Sequence, residues 1–484
     1  EYKMEKFLNG LEYEILKDVV KEEEYTGIEY DSRKIKAGNI FVALEGAVSD
    51  GHNYIEQAVK NGAKCILVSK KIEAVFPVKY IWIKDLRRKL GVLASNFYNW
   101  PQKKLKIIGI TGTNGKTTTT YLIESILGSD KTARIGTVEY KIGDEIIEAP
   151  NTTPESLDIV KMCKKSVEKG MEYLVMEVSS HALALGRVDM LEFDVSMFTN
   201  LTLDHLDFHK TMEDYFQAKR KLFTMMKKGC EKNCVINIDD LYGKRLSSEF
   251  GGISYGMHNE GRVRGKILEF HGDGQEVEIN IDNFSTKIKL AILGRYNVYN
   301  VLGALSIALL LVIERDIILD KIKELKGAPG RYELVNCGQD FTVIVDYSHT
   351  GDALENILKS INELKKGITV FGCGGDRDPS KRSVMGEIAE RLSDIAIVTS
   401  DNPRTEDPHK IVEQVLEGMK GKNHIVEEDR DIAISKAVKL AEAKDIILIA
   451  GKGHETYQIL GRKKIHFDDR EIARREIVKK KKMK

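Results

Sequence analysis

A glycine- and threonine-rich segment carries the most specific chemical signal in the chain. It spans residues 109–118 and lies between an apolar stretch that predicts a strand and an amphipathic stretch that predicts a helix. Backbone N–H groups in such a turn, together with a helix N-terminus, can surround the oxygens of a phosphate. Gly112 and Gly115 have no side chains that would block this approach. Lys116 can neutralise phosphate charge, and the Thr117 hydroxyl can ligate Mg²⁺.

The segment departs from the usual phosphate-loop pattern at one position. That pattern begins with a glycine where this chain has Ile110, and Gly109 stands one residue earlier. A turn that only caps an ordinary helix would explain the glycines and threonines, but it would not explain Lys116. We therefore interpret the segment as a variant phosphate-binding loop.

Two further segments carry groups that could hold a metal ion. An apolar stretch at 173–177 ends in Glu177, and residues 203–209 contain two aspartates and two histidines. Magnesium prefers hard oxygen ligands such as carboxylates. A polar turn with capped helix ends would also account for the second segment. The two segments favour a magnesium site only if both border the phosphate loop.

Apolar and amphipathic stretches alternate along most of the chain and predict the scaffold that positions these groups. Strands are predicted at 40–44, 65–68, 80–83, 106–110, 173–177, 195–199 and 234–238, and helices at 54–61 and 117–127. Four later strands, predicted at 341–345, 368–372, 395–399 and 446–450, each run into a polar loop that contains glycine or aspartate. This alternation is typical of α/β domains with mostly parallel sheets, which bind ligands at the carboxyl ends of their strands.

Turn-forming residues divide the chain into three α/β domains. The segments at 99–102 and 327–331 interrupt the alternation with residues that favour turns. We therefore predict domains at 1–103, 104–331 and 332–484, with the phosphate loop and a mostly parallel sheet in the central one. The polar loops of the third domain indicate a second binding edge. Residues 479–484, which are rich in lysine, are predicted to form a solvated tail.

Composition excludes several classes of protein. The 484 residues are 42% hydrophobic and 31% charged, which is the balance of a folded globular protein. The 75 basic and 74 acidic residues give a net charge of +1, so no overall field would recruit nucleic acid or an anionic membrane. The six cysteines are scattered, which suits a reducing compartment, and no zinc site is predicted.

Two observations bear on location. The first 20 residues are charged throughout and lack the apolar core of a signal peptide, so we expect a cytoplasmic protein. The longest apolar run, from Val301 to Ile313, is shorter than the ~20 residues that a membrane span needs. This run predicts a buried helix.

Taken together, the motifs resemble those of the Mur ligase family, the ATP-dependent enzymes that add amino acids to peptidoglycan precursors. The resemblance covers all three predicted domains. The segments at 112–117, 294–300 and 329–333 are similar to motifs of the whole family. The segments at 31–33, 151–154, 177–181 and 401–404 are most similar to the branch that adds the third residue of the stem peptide.

This resemblance implies an N-terminal domain that binds the UDP end of the substrate, a central P-loop ATPase domain and a Rossmann-like C-terminal domain that binds the amino acid. The residues that it implies for ATP are Gly112, Thr113, Asn114, Gly115, Lys116, Thr117, Thr118, Asn297, Asn300 and Arg331. Those for the UDP-N-acetylmuramoyl-dipeptide are Ser32, Asn151, Thr152, Thr153, Ser179 and Arg187. Those for the amino acid are Arg377, Asp401, Asn402, Arg404, Gly451 and Glu455.

The resemblance also implies a catalytic set consisting of Lys116, Lys219, His205 and Glu177. Glu177 and His205 would hold one Mg²⁺, with a second ion near Thr117. Lys219 occupies the position at which the family carries a carbamylated lysine, a modification that would turn a cation into an anion beside Mg²⁺ and ATP. A plain surface lysine is the alternative.

The implied activity is amide formation between UDP-N-acetylmuramoyl-L-alanyl-D-glutamate and meso-diaminopimelate, through an acyl phosphate, in peptidoglycan synthesis. Diaminopimelate is expected over L-lysine because Arg404 can pair with the second carboxylate that lysine lacks. A turn with Arg404 in a surface ion pair is the alternative at this motif.

Two other functions stay open at this point. A folylpolyglutamate synthetase-like ligase shares the ATP chemistry but normally lacks the first domain. A nucleotide-gated switch would use the phosphate loop without catalysis, although it would not need the polar loops of the third domain. We expect a monomer with small-molecule substrates and no nucleic-acid or membrane partner.

Overall fold

The computed structural model describes residues 6–19, 24–149, 152–202, 209–258 and 260–484. The chain divides into two compact units. The first comprises Glu1–Thr113 and Leu127–Cys234, and the second comprises Asn114–Ile126 and Val235–Lys484. Both units are α/β, in agreement with the predicted fold class.

The first unit begins with a five-stranded sheet. Its elements are β1 Tyr13–Lys17, β2 Ile28–Glu29, β3 Ile40–Ala43, α1 Ile55–Lys60, β4 Cys65–Val68, β5 Lys79–Ile83 and α2 Leu86–Phe97. The strand order is β1-β5-β4-β3-β2, and only β1 runs antiparallel to its neighbour. Every residue of β3 and β4 is buried, as expected for strands that are covered on both faces. The predicted strands and helix of this region are confirmed to within one residue at each end.

The next stretch of chain contains the phosphate loop. Its elements are β6 Lys106–Thr111, α3 Lys116–Leu127, β7 Thr132–Ile135, β8 Glu139–Ile142, β9 Glu145–Glu148, α4 Ser156–Glu168, β10 Tyr173–Glu177, α5 Ser180–Leu185, β11 Val195–Phe198 and α6 Met212–Arg220. Within the first unit the strand order is β11-β6-β10-β7-β8-β9. The strands from β11 to β7 are parallel, and β8 and β9 extend the sheet as an antiparallel meander. The predicted strands at 106–110, 173–177 and 195–199 are confirmed.

The second unit contains a sheet for which the sequence interpretation assigned only the strand at 234–238. The elements are β12 Cys234–Asn237, α7 Leu241–Phe250, β13 Ile253–Gly256, β14 Val263–His271, β15 Gly274–Ile281, β16 Phe284–Leu290, α8 Arg295–Leu310 and α9 Arg315–Ile322. The order is β16-β15-β14-β13-β12, parallel from β12 to β14 and antiparallel beyond. In β15 the buried Val277, Ile279 and Ile281 alternate with more polar positions, a period of two that is typical of a half-buried strand.

The buried helix predicted from the apolar run at 301–313 is confirmed as α8. Residues 301–308 are buried, and the helix ends at Leu310, so that Val312 beyond it is exposed. Among the residues that the model describes, no helix combines the length and the apolar character needed to cross a bilayer.

The third predicted domain is built on a six-stranded sheet. Its elements are β17 Glu333–Leu334, β18 Thr342–Asp346, α10 Gly351–Asn362, β19 Ile368–Phe371, α11 Arg382–Leu392, β20 Ile395–Val398, α12 Pro408–Leu416, β21 His424–Val426, α13 Arg430–Leu440, β22 Ile446–Ala450, β23 Tyr457–Leu460, β24 Lys463–His466 and α14 Asp469–Lys482. The sheet order is β17-β18-β22-β19-β20-β21, while β23 and β24 form a separate hairpin. The pairs from β18 to β21 are parallel, so the four predicted polar loops lie at one edge.

The interpretation of residues 479–484 as a solvated tail was wrong in part. Helix α14 continues to Lys482, and Lys480 Nζ donates a hydrogen bond of 2.7 Å to the carbonyl oxygen of Val438 near the C-terminus of α13. A cation at this end of a helix is stabilised by the partial negative charge of the last carbonyl groups. The lysines therefore help to pack α14 against α13.

Candidate functional site

The first half of the phosphate loop is anchored to the segment that follows β11. Gly112 has a φ of +140°, and a Cβ atom at this position would lie 1.8 Å from Thr199 Oγ1. The Thr113 N–H donates to the carbonyl oxygen of Asn200 at 2.9 Å, and Thr113 Oγ1 accepts from the Thr202 N–H at 3.0 Å. Only glycine fits at position 112, because any side chain would collide with Thr199.

The second half of the loop belongs to the second unit and packs against α8. Gly115 has a φ of +93°, and a Cβ atom there would lie 2.5 Å from Asn300 Oδ1. Thr119 Oγ1 donates to the Gly115 carbonyl oxygen at 2.6 Å. The chain enters α3 at Lys116, so the N-terminal turn of this helix forms the end of the loop, where a phosphate would be stabilised. Lys116 and the neighbouring Thr117 are both partly exposed.

The two asparagines predicted to lie near the nucleotide are buried in α8. Asn297 Nδ2 donates to the carbonyl oxygen of Leu293 at 2.8 Å, and Asn300 Oδ1 accepts from Thr119 Oγ1 at 3.4 Å. The Asn300 side chain therefore contacts the first turns of α3, next to Gly115. Through this contact Asn300 can stabilise the start of α3 without binding a ligand itself.

Lys219 is fully enclosed, with only 1% of its surface exposed. Its Nζ donates to the Gly112 carbonyl oxygen at 2.9 Å and lies 4.7 Å from the centroid of the Tyr215 ring. The Tyr215 hydroxyl is 3.0 Å from Thr113 Oγ1. Helix α6 thus holds both side chains against the phosphate loop, and the alternative that Lys219 is a plain surface lysine is wrong.

Glu177, at the end of β10, is also buried. Its Oε2 accepts from the Thr137 N–H at 2.6 Å and its Oε1 accepts from Thr137 Oγ1 at 3.1 Å. A carboxylate has about four acceptor positions, and its hard oxygens are the ligands that Mg²⁺ prefers. The side chain is therefore chemically suited to the predicted role. The second predicted ligand of this ion, His205, lies outside the described residues.

Three residues assigned to the dipeptide arm, Thr153, Ser179 and Arg187, are linked by hydrogen bonds, and a fourth, Thr152, contacts Thr137. Thr153 Oγ1 donates to the carbonyl oxygen of Glu177 at 3.0 Å and accepts from the Ser179 N–H at 3.1 Å. Arg187 donates to the Thr153 carbonyl oxygen at 3.2 Å, and Thr152 Oγ1 is 3.1 Å from Thr137 Oγ1. Asn151, which was predicted to belong to this group, lies outside the described residues.

Ser32 is the residue predicted to contact the UDP end of the substrate. It begins a short 3₁₀ turn between β2 and β3. Asp31 caps the turn by accepting from the Arg33 N–H, and its carboxylate also pairs with the Arg33 guanidinium, which holds the pKa of Asp31 below its ordinary value. The Ser32 hydroxyl is buried and donates to Gln57 Oε1 at 2.9 Å. The motif therefore builds a rigid turn.

In the third domain, the loops after β20 and β22 meet. Asn402 Nδ2 donates to Glu455 Oε1 at 3.4 Å, and the Gly451 backbone, with a φ of +116°, packs so closely that a Cβ atom would lie 2.6 Å from Asp401 Oδ2. Burial raises the pKa of the Asp401 carboxyl above its ordinary value, although Arg430 and Lys452 oppose the shift. Four residues of the predicted amino-acid site are thus adjacent.

Arg404 completes this group and lies against the loop after β19. It has a left-handed backbone, and its Nη1 donates to the carbonyl oxygen of Gly375 at 3.0 Å. Among the described residues Arg404 forms no ion pair, and its charge helps to lower the pKa of Asp376. Arg377 is exposed on the same loop, and a Cβ atom on Gly374 would have both arginines within 4 Å.

Arg331 lies at the entrance to the third domain. Its guanidinium is 5.4 Å from the centroid of the Tyr347 ring, and the Tyr332 N–H beside it donates to Asp346 Oδ1 at 2.8 Å. Burial raises the pKa of Asp346, and the charge of Arg331 opposes that shift. Arg331 is the one predicted ATP-binding residue beyond α8.

Three buried cations under the third-domain loops were not singled out from the sequence. Lys452 Nζ donates to Asn402 Oδ1 at 3.0 Å, Arg430 is paired with Asp469, and Arg382 is paired with Glu406. Lys452 could have been singled out from the sequence, because it lies in the glycine-rich loop that follows β22. Neither arginine has a local signal, because each partner is distant in sequence.

Comparison with known proteins identifies the family. Family models match residues 24–98 (Mur ligase family, catalytic domain), 110–308 (Mur ligase middle domain) and 330–453 (Mur ligase, glutamate ligase domain). The chain is 56% identical over 482 residues to the UDP-N-acetylmuramoyl-L-alanyl-D-glutamate–2,6-diaminopimelate ligase of Fusobacterium nucleatum subsp. nucleatum, with 98% of each chain covered. It is 47% identical over 483 residues to the protein of the same name from Clostridium botulinum, again with 98% of each covered.

A solved structure of a ligase with that name gives the same result. It is 30% identical to this chain, with a TM-score of 0.71, and the match covers 96% of this chain and 98% of the other. The predicted three-part α/β fold is confirmed by this likeness. On these grounds the chain belongs to the Mur ligase family.

Proposed function

We propose that this protein is the ATP-dependent ligase that joins meso-diaminopimelate to UDP-N-acetylmuramoyl-L-alanyl-D-glutamate. The observation that carries the proposal is the 56% identity to a relative with this substrate in its name, over 98% of both chains. The match extends through the third domain, where four of the residues that we assign to amino-acid binding are adjacent. A nucleotide-gated switch would not need that site.

The proposed chemistry makes a carboxylate reactive toward an amine. The γ-phosphoryl group of ATP is transferred to the substrate carboxylate, giving an acyl phosphate and ADP. The amine then attacks the carbonyl carbon, and phosphate leaves from the tetrahedral intermediate as the amine loses its proton. Positive charge is needed where the phosphate charge accumulates, and Lys116 at the start of α3 would supply it.

We assign ATP binding to the phosphate loop, with Asn297 and Asn300 behind it and Arg331 at the domain junction. Glu177 and His205 would hold one Mg²⁺, and the Thr117 hydroxyl would ligate a second. Bound magnesium would supply further positive charge at the phosphate oxygens. This assignment is supported by the two loop glycines, each of which stands where a side chain would collide with the neighbouring segment.

We further propose that Lys219 is carbamylated in the active protein. Its Nζ lies against the Gly112 carbonyl oxygen, and a carbamate nitrogen would keep one N–H to donate to that oxygen. An experimental density map at this side chain would test the modification, and a bare ammonium in an active crystal form would contradict it.

Arg404 is the proposed determinant of amino-acid choice. Its guanidinium donates to the carbonyl oxygen of Gly375 and has further N–H groups that can pair with the second carboxylate of diaminopimelate. L-Lysine lacks this carboxylate and would leave the cation unpaired, so it is the disfavoured alternative. Asp401, Asn402, Gly451, Glu455 and Arg377 would bind the rest of the amino acid.

The remaining assignments concern the first domain and the whole molecule. We propose domain limits of 1–103, 104–331 and 332–484, with Ser32 at the UDP end of the substrate and Thr152, Thr153, Ser179 and Arg187 along its peptide arm. A folylpolyglutamate synthetase-like ligase is disfavoured because a family model matches residues 24–98. We also propose a cytoplasmic monomer.

A phosphate-release assay tests the function. The protein would be incubated with ATP, Mg²⁺ and UDP-N-acetylmuramoyl-L-alanyl-D-glutamate, and diaminopimelate, lysine or glutamate would be added singly. Release that depends on diaminopimelate supports the proposal. Release only with lysine would overturn the choice of amino acid, and release that is independent of any amine would favour the switch.

A further inference from the structure

Lys452 is a fully buried cation that contacts two residues of the proposed amino-acid site. It follows β22, none of its side chain is exposed, and its Nζ lies 3.0 Å from Asn402 Oδ1 and 3.4 Å from Glu455 Oε1.

The Asn402 amide is held in one orientation. Its Oδ1 accepts from Lys452 Nζ and also from the Ile459 N–H at 3.0 Å, which uses both lone pairs of the oxygen. The amide nitrogen therefore lies on the opposite side, where it donates to Glu455 Oε1 at 3.4 Å. If this amide contacts a ligand, it can do so only as a donor, through its second N–H.

This orientation gives the site a defined polarity. The reacting centre of an amino acid carries a carboxylate, which needs donors, and an amino group, which needs an acceptor. Asn402 Nδ2 presents a donor and the Glu455 carboxylate presents an acceptor, side by side. If the Asn402 amide turned by 180°, its Oδ1 would face Glu455. Two acceptors would then lie side by side, and Asn402 would offer no donor to the carboxylate of the bound amino acid.

The cost of burying Lys452 indicates that it serves the site. Burial lowers the pKa of this ammonium below its ordinary value, because the charged form loses its hydration. Apolar residues of similar size are often as good or better for stability at buried ionic positions. A lysine is therefore poorly explained by packing alone.

We propose that Lys452 is a positioning residue that sets the donor–acceptor polarity of the amino-acid site by fixing the Asn402 amide. The inference rests on the proposed function, since it concerns how the same site recognises diaminopimelate. It predicts that Lys452 acts on amino-acid binding and not on the handling of ATP.

The test compares Lys452→Met with wild type and with Lys436→Met, by steady-state phosphate release. Lys436 is a partly exposed lysine in the same domain, paired with Glu427 at 2.7 Å, and controls for loss of a lysine charge. Loss of a charge-assisted hydrogen bond should raise the KM for diaminopimelate about 10-fold to 100-fold in Lys452→Met. Because Lys452 is inferred to act only on amino-acid binding, the kcat and the KM for ATP should change less than about threefold. Lys436→Met should match wild type.

A double-mutant cycle separates positioning from a general structural effect. If Lys452 acts through Asn402, the double variant Lys452→Met/Asn402→Ala should have the same KM for diaminopimelate as Asn402→Ala alone. Lys452→Arg, which keeps the charge, should recover part of the affinity lost in Lys452→Met. Multiplicative effects in the double variant, or an unchanged KM in Lys452→Met, would overturn the inference.

The wild-type measurement distinguishes a failure of the proposed function from a failure of the inference about Lys452. Wild-type protein without any diaminopimelate-dependent phosphate release would overturn the proposed function and this inference together. Normal wild-type turnover with an unaffected Lys452→Met variant would overturn this inference alone.

Discussion

Replacing Asp469 by asparagine should loosen the whole amino-acid-binding edge of the third domain. Arg430 and Asp469 join α13 to α14 by two hydrogen bonds of 2.8 and 2.7 Å, and both side chains are 0% exposed. The same guanidinium donates to the carbonyl oxygens of Ser400 and Ala450 at 3.1 and 3.0 Å. These two residues immediately precede the loops that contain the proposed ligands.

The expected cost follows from leaving a buried charge without its partner. Asparagine keeps the volume of Asp469 but removes its charge and turns one acceptor into a donor that faces the guanidinium. Breaking a buried ion pair on one side costs about 3–5 kcal/mol. Asp431 and Arg475 form a second ion pair between the same two helices, and their side chains are 37% and 43% exposed, respectively. Exposed pairs of this kind contribute about 1 kcal/mol or less. Asp431→Asn is therefore the matched control.

Native-state hydrogen exchange of β22, followed by mass spectrometry, measures this difference. In Asp469→Asn the protection of the β22 amides should fall by about two to three and a half orders of magnitude, which corresponds to the 3–5 kcal/mol above. In Asp431→Asn the fall should be less than about tenfold. Equal effects of the two substitutions would refute the reasoning that burial decides the strength of these pairs.

Three further predictions follow from the site and the core. Lys116→Ala should abolish amine-dependent phosphate release while leaving the circular dichroism spectrum unchanged, and retained turnover would mean that the ATP site is elsewhere. Arg404→Ala should raise the KM for diaminopimelate by about tenfold or more, because a charge-assisted pair is lost, and an unchanged KM would move recognition to other residues. Burial raises the pKa of four thiols to about 12, those of Cys65, Cys163, Cys234 and Cys373. Alkylation of the native protein at pH 8 should therefore label only the partly exposed Cys230 and Cys337, and labelling of any buried thiol before unfolding would contradict this account.

The parts of the protein that depend on local sequence could be predicted. The phosphate loop is defined by glycines, a lysine and a threonine within a few residues, between a strand and a helix, and the structure places Gly112 and Gly115 where no side chain fits. The predicted parallel strands, such as β6, β10 and β22, are short apolar runs whose residues are mostly buried, and hydrophobic pattern alone located them. The parallel strands β7, β13 and β14 were not predicted.

The parts that depend on distant residues could not be predicted. The local sequence shows Lys219 only as one of three consecutive basic residues, and it was singled out by the family resemblance alone. Its contact with the carbonyl oxygen of Gly112, 107 positions away, is created by the fold. Lys452 meets Asn402 across 50 positions, and Arg430 meets Asp469 across 39. Such contacts are created by the order of strands and helices, which no short motif encodes.

The fate of carboxylate oxygen during turnover tests the central claim most directly. UDP-N-acetylmuramoyl-L-alanyl-D-glutamate with ¹⁸O in its reacting carboxylate would be incubated with the protein, ATP, Mg²⁺ and diaminopimelate, and the released phosphate analysed by mass spectrometry. Ligation through an acyl phosphate predicts that each released phosphate carries one oxygen from the carboxylate, and that label appears only when diaminopimelate is present. Phosphate without label, formed by attack of water on ATP, would contradict the account.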